Sequence, residues 1–370
     1  MDKSVKKLSA HTFIGDFGQT VSEFSLECSG KIPALAPENF TITGARKDIS
    51  GKRPPSGITN LRTEKNKLIL EVDPFIYKGD FSISGEGGAK KFSFTASDVT
   101  EVTTRTADDF AAMEEDGVLY RLHTPDLAGP RPLVLYLHGG GESGFDNFIQ
   151  LTGTMGAVNL AERWPDKYIM APQAPGGALG SAELARMMGP GGAFDMSIGK
   201  LPEISSRGWH RMYLAKICKI IRNMIAEGKV DEKRVYITGL SMGGAGTLRT
   251  LSVDPTLFAA AAPVCPSMNG ETYMILSNIR NTAIWVSAAY IDHQPARHAY
   301  LTRAYQKLLE DGFVEARLTI YTPEDLAQYG IGSDPTLTHR ELLSENHSCW
   351  TLTYHNEYGI LDWLISVVKD

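Results

Sequence analysis

Residues Gly239-Leu240-Ser241-Met242-Gly243 lie between an apolar run, Arg234-Val235-Tyr236-Ile237-Thr238, and a run of small residues, Gly244-Ala245-Gly246-Thr247-Leu248. No other stretch restricts the chain as much. A G-x-S-x-G between a predicted strand and a predicted helix forces the serine into a sharp, strained turn that lifts its hydroxyl out of the fold. Any side chain at Gly239 or Gly243 would crowd that turn, because strand and helix approach closely there. The helix start aims free N–H groups and a positive dipole end at whatever sits on the serine. Ser241 is therefore a candidate nucleophile rather than a plain turn residue.

Three further segments support this. In Leu133-Val134-Leu135-Tyr136-Leu137-His138-Gly139-Gly140-Gly141-Glu142 a buried strand runs into a glycine-rich turn. Acyl transfer develops negative charge on a carbonyl oxygen, and two preorganised backbone donors stabilise it. The N–H of Met242 would supply one donor and a glycine of the run the other, Gly140 first and Gly141 as the alternative; Gly141 is also a candidate substrate contact. In Ala283-Ile284-Trp285-Val286-Ser287-Ala288-Ala289-Tyr290-Ile291-Asp292-His293 an apolar strand runs out into a loop carrying one acid. A nucleophilic serine needs a histidine base, and the base needs a carboxylate to hold its tautomer, so Asp292 is the candidate acid. Asp254, in an Asp-Pro turn, and Asp311, in an Asp-Gly turn, are the rivals on paper. The third segment is Glu345-Asn346-His347-Ser348-Cys349-Trp350, before a closing amphipathic helix. Among nine histidines, His347 stands out because it makes the order Ser, Asp, His. Intervals of about fifty residues leave room for further strands and helices between the members. His339 lies earlier in a polar loop and His355 in the predicted last helix.

The organisation changes once along the chain. In residues 1–102, Val21–Cys28, Lys67–Val72 and Lys91–Thr95 alternate at period two, separated by Pro and Gly clusters such as Gly51–Gly57. That pattern predicts a small antiparallel, all-β, immunoglobulin-like sandwich, with Phe24, Phe40, Phe75, Tyr77, Phe81, Phe92 and Phe94 as its core. From residue 103 to 370 strands alternate with helices, which predicts α/β architecture with a mostly parallel, doubly wound sheet. Met212–Glu227 shows the helical period, with Leu214, Ile217, Ile221, Met224 and Ile225 on one face. Two insertions, near 173–210 and 322–346, are longer than the architecture needs. The first contains Met187, Met188, Phe194 and Trp209; Trp209, with Trp350 near the candidate base, is expected to line a substrate site.

Together, LYLHGGGE, TGLSMGG, AIWVSAAYID and NHSCW before a Leu-Asp-Trp-Leu helix resemble a bacterial group of serine esterases. This is the branch with feruloyl-esterase-like, polyhydroxybutyrate-depolymerase-like and predicted-peptidase members, some with an N-terminal immunoglobulin-like domain. The resemblance covers roughly residues 105–370. It implies the α/β-hydrolase fold, Ser241 as nucleophile, Asp292 as orienting acid, His347 as base, and short-chain or aromatic acyl esters as substrates. A prolyl-oligopeptidase-like peptidase is the first alternative, and a non-catalytic polysaccharide-binding protein the second. Two departures bear on the substrate site: Ser287-Ala288-Ala289 stands where relatives often read F-H-G, and Ser143 where they often carry Arg.

Composition narrows the partners. A chain of 370 residues, 42% hydrophobic and 22% charged, has material for two globular domains. A net charge of −6 argues against nucleic acid and against an anionic membrane surface. No apolar stretch approaches bilayer length. The expected partner is a small-molecule or polysaccharide-linked ester, and the N-terminal domain is a candidate surface for homo-oligomers. Met1–Lys7 has three Lys without an apolar run behind them, so no signal peptide is visible and a cytoplasmic location is expected; a trimmed chain would leave secretion open. Cys28, Cys218, Cys265 and Cys349 form no C-x-x-C pair and no metal spacing. Cys218 is expected in the core, and Cys349 is not expected to act as a second nucleophile. No metal, nucleotide or flavin motif is present, so no cofactor is expected.

Overall fold

The computed structural model describes residues 5–30, 32–47, 53–77, 81–87, 90–176 and 208–369. It divides into two units: Met1–Asp109 with Thr152–Val158, and Phe110–Leu151 with Asn159–Asp370.

The first unit contains β1 (Val5–Gly15), β2 (Gly18–Cys28), β3 (Phe40–Thr43), β4 (Ile58–Glu64), β5 (Lys67–Ile76), β6 (Ser82–Gly87), β7 (Lys90–Thr95) and β8 (Glu101–Thr104). They form a five-stranded sheet, β4-β5-β2-β1-β8, and a three-stranded sheet, β3-β6-β7. The sandwich core follows from period-two alternation, which turns Phe24, Leu26 and Cys28 of β2 inward. Between Val21 and Glu23 the register with β5 shifts, so the inward spacing there is three instead of two. Phe24 carries the centre: its ring lies 6.3, 5.5 and 5.3 Å from those of Phe75, Phe81 and Phe94. Phe40, Phe92 and the partly buried Tyr77 complete the same cluster.

The structure corrects the sequence reading twice here. The pair β1–β8 is parallel, joining Ser9–Thr12 to Glu101–Thr104, so the sandwich is not wholly antiparallel. A boundary after residue 102 would cut that strand; the first unit runs on to Asp109. Pairing across about ninety residues leaves no local signature, and the β8 segment reads as a domain boundary for that reason.

The second unit holds an eight-stranded sheet of β9 (Ala111–Glu115), β10 (Val118–His123), β11 (Arg131–Leu137), β12 (Tyr168–Pro172), β13 (Val230–Leu240), β14 (Ala260–Val264), β15 (Ala283–Ala289) and β16 (Ala316–Tyr321). The order is β16-β15-β14-β13-β11-β12-β10-β9. From β12 to β16 all neighbours are parallel, and β10 and β9 close one edge antiparallel. Leu133–Leu137 and Ala260–Val264 are buried without interruption, as strands covered on both faces must be. The described helices are α1 (Ile149–Thr152), α2 (Ala157–Arg163), α3 (Arg211–Ala226), α4 (Met242–Val253), α5 (Gly270–Ser277), α6 (Ala296–Glu310), α7 (Pro323–Ala327), α8 (His339–Asn346), α9 (Trp350–Tyr354) and α10 (Ile360–Ser366). In α3 the predicted stripe is buried through Leu214, Ile217, Ile221 and Met224. The insertion at 322–346 contains α7 and α8, each opened by a capping threonine, Thr322 and Thr338. Most of the 173–210 insertion, with Met187, Met188 and Phe194, lies outside the described residues.

After β11 the chain moves to β12 on one side, then returns to β13 on the other. The carboxyl ends of β11 and β13 therefore flank the switch point where ligands bind in open α/β sheets. Phe24→Ala should cost about 3–5 kcal/mol through the cavity it leaves. Urea denaturation of the variant against the parent measures that loss; a cost below about 1 kcal/mol would mean that Phe24 is not the centre of the sandwich core.

Candidate active site

Ser241 sits between β13 and α4 with φ 56° and ψ −113°, a left-handed backbone that costs a non-glycine residue roughly 1–3 kcal/mol. Neighbouring chain holds it there. The Ser241 N–H donates to the Val264 carbonyl at 2.9 Å, and the Ser241 carbonyl accepts from Ala245 and Ser267, both at 3.1 Å. The two flanking glycines are required by space. A Cβ on Gly239 would lie 2.6 Å from the Leu137 carbonyl, and one on Gly243 would overlap that same carbonyl.

His347 ends α8 and opens a short 3-10 turn, His347–Cys349. Its Nε2 is 2.8 Å from Ser241 Oγ, and its Nδ1 is 3.3 Å from Asp292 Oδ2. Asp292 follows β15, is 3% exposed, and accepts the Gln294 N–H on Oδ1 at 2.7 Å. Three residues spread over a hundred positions thus meet at one edge of the sheet. The rivals are engaged elsewhere: Asp254 pairs with Arg222, and Asp311 with Lys307 and Arg280. His339 is exposed at the start of α8, and His355 stacks on Tyr329.

The glycine run divides into two parts. Gly139 is buried, and a Cβ there would lie 2.7 Å from Leu240. Gly140 and Gly141 are exposed, and a Cβ on either meets nothing within 4 Å. Met242 is the first residue of α4, where N–H groups have no acceptor within the helix. His138, wholly buried, braces the turn. Its Nε2 accepts the Ala174 N–H at 2.9 Å, so Nδ1 carries the proton and donates to the Gly139 carbonyl at 2.6 Å.

Trp209 is not a substrate contact. It is 1% exposed, donates its indole N–H to the His138 carbonyl at 3.2 Å, and packs where a Cβ on Gly246 would meet it at 2.5 Å. It fastens the glycine turn to α4. Trp350 does lie at the site: its ring meets that of His347 edge-on at 5.5 Å, and its buried Nε1 has no hydrogen-bond partner among the described residues.

The comparisons agree with this architecture. Residues 204–310 match the model of the Prolyl oligopeptidase family. The whole structure is similar to a crystal structure of a thermostable esterase, over 99% of this chain and 100% of that one, with a TM-score of 0.67 and 24% identity. The chain is an α/β-hydrolase by fold. Other similar structures include a putative dienelactone hydrolase from Klebsiella pneumoniae subsp. pneumoniae, covering 67% of this chain and 98% of its own (TM-score 0.40, 18% identity). A ferulic acid esterase covers 70% and 97% (TM-score 0.42, 12% identity). No curated protein matches the chain.

Two residues of this α/β-hydrolase site had no signal in the sequence reading. Arg297, on α6, is 1% exposed; it is ion-paired with Asp292 Oδ2 and donates its Nε–H to the Pro266 carbonyl at 2.9 Å. His293 is exposed, with its ring 4.1 Å from that of His347 and perpendicular to it. Asp292, His293 and His347 offer one potential metal-ligand atom each within 4.8 Å of one another. The Asp292 oxygens are already engaged by Arg297, His347 and Gln294, and the guanidinium would repel a dication. The four cysteines are buried and none forms a disulfide; burial pushes the Cys218 thiol up to about 12.

Burial lowers His138 from an ordinary 6.5 to about 4, against the opposing effects of the Gly139 carbonyl and Asp146. The folded protein then refuses a proton that the unfolded chain accepts between those values. Stability conferred by His138 is complete above pH 6.5 and falls by roughly 3 kcal/mol as the pH drops to about 4. Urea midpoints across that window should decline less steeply for His138→Gln than for the parent; parallel declines would contradict the buried neutral imidazole.

Proposed function

We propose that this α/β-hydrolase is a serine esterase that cleaves carboxylic esters through an acyl-enzyme. One observation carries the reading: a serine hydroxyl on a strained turn, 2.8 Å from a histidine nitrogen whose other face meets a buried carboxylate. In this mechanism Asp292 accepts the Nδ1 proton of His347 and fixes the tautomer with a free Nε2 lone pair. Nε2 takes the Ser241 proton as Oγ attacks the acyl carbonyl. The N–H groups of Met242 and Gly140 hold the oxyanion, a role supported by the helix start at Met242 and the open backbone of Gly140. The alcohol leaves with the proton from His347, and water repeats the sequence on the acyl-enzyme. Gly141 and Trp350 wall the site. The substrate class we infer is short-chain or aromatic acyl esters, free or attached to polysaccharide.

The family match over residues 204–310 favours a second reading, a serine peptidase using the same groups on an amide. A p-nitrophenyl ester series from acetate to decanoate, a feruloyl ester and a prolyl peptide anilide separate the two. The parent should turn over the esters, and Ser241→Ala should lower kcat by about a thousandfold or more with an unchanged melting curve. Turnover of the anilide without the esters would select the peptidase. An active Ser241→Ala protein would overturn both readings.

A further inference from the structure

Asp292 is approached by two side chains, and the second is unusual in its depth. Arg297 reaches in from the first turn of α6, with its side chain 2% exposed, to share Oδ2 with His347. The same Nη1 lies 3.3 Å from His347 Nδ1. Two donors cannot bond each other, so the guanidinium and a protonated Nδ1 both point their hydrogens at the carboxylate and repel one another across it. The Arg297 Nε–H on the Pro266 carbonyl prevents the side chain from swinging away. Arg297 thus joins the ends of β14 and β15 and stands against the imidazole as a fixed charge.

We propose that Arg297 is a positioning residue of the hydrolytic site, holding Asp292 ionised and aimed while its charge opposes protonation of His347. The inference rests on the serine-hydrolase reading. An acid alone would favour the imidazolium; an acid already paired with a guanidinium favours it much less. The other titratable groups around His347 do not supply this charge. His293, across the ring, is pushed down by burial and then by His347 itself. Cys265 and Cys349 are buried and interact electrostatically with Arg297: burial drives Cys349 up, whereas for Cys265 the burial effect is outweighed by Cys349, His347 and Arg297, which bring it down, so neither supplies a positive charge. Glu345 is turned away, accepting the Gly332 N–H at 2.8 Å.

The test is the pH dependence of Ser241 labelling by a fluorophosphonate, with kcat and KM on p-nitrophenyl acetate, for the parent, Arg297→Gln and Arg297→Lys. Labelling needs the base but not the natural substrate. In Arg297→Gln the acid limb should move to higher pH, with KM nearly unchanged. In Arg297→Lys the limb should stay in place while kcat falls, because charge is kept and the fork geometry is lost. If Arg297→Gln does not fold by circular dichroism, Arg297→Met, which keeps the buried stem, takes its place. A folded neutral variant whose limb does not move overturns the proposal, as does a limb that moves equally in the lysine variant. A parent that is not labelled at Ser241 at any pH refutes the hydrolase reading instead, and the inference with it.

Discussion

The Leu137 carbonyl, at the end of β11, lies against both glycines that flank Ser241, and neither position has room for a Cβ. That contact is the constraint from which the site is built. It draws the start of α4 down onto the sheet edge and forces Ser241 into a left-handed conformation. It also leaves the turn's backbone groups to be satisfied by β14 and the chain after it, through Val264 and Ser267. The glycine run after β11 is held on the other side by His138 and Trp209. The nucleophile's strain is thus balanced by close packing at the switch point of the sheet, where β11 and β13 diverge in topology.

Charge is arranged around that strained turn with equal economy. Asp292 is nearly inaccessible, and a buried carboxylate persists only when paired and hydrogen-bonded. Arg297, His347 and the Gln294 N–H between them provide this. His138, by contrast, is buried and kept neutral, with both ring nitrogens bonded to backbone. One histidine is sealed in as structure while the other is left partly open at Ser241, and their different burial accounts for their different uses.

Local backbone demands could be read directly from the residues. The spacing of Gly239, Ser241 and Gly243, the apolar runs of β11, β13 and β15, and the helical stripe of α3 each encode their own geometry within a few residues. Asp292 is legible because it follows an apolar strand and His347 because it completes the order Ser, Asp, His ahead of the closing helix, and the structure brings both to Ser241. What depended on distant contacts was not visible. Arg297 reads as an ordinary helix arginine until α6 is folded against β14 and β15. Trp209 reads as a pocket aromatic, and only the packing of α4 shows that Gly246 is shaped to receive it. The strand β8 reads as a domain boundary because its partner lies some ninety residues away.

The central claim is that Ser241 forms a covalent acyl intermediate. The direct measurement is peptide mapping by mass spectrometry after acid quench of the protein mixed with p-nitrophenyl acetate. The account predicts one acetyl group on the peptide bearing Ser241, accumulating in the first turnover and absent from Ser241→Ala. Hydrolysis that proceeds with no acetyl on Ser241, or with the acetyl on His293 or a cysteine, would contradict it.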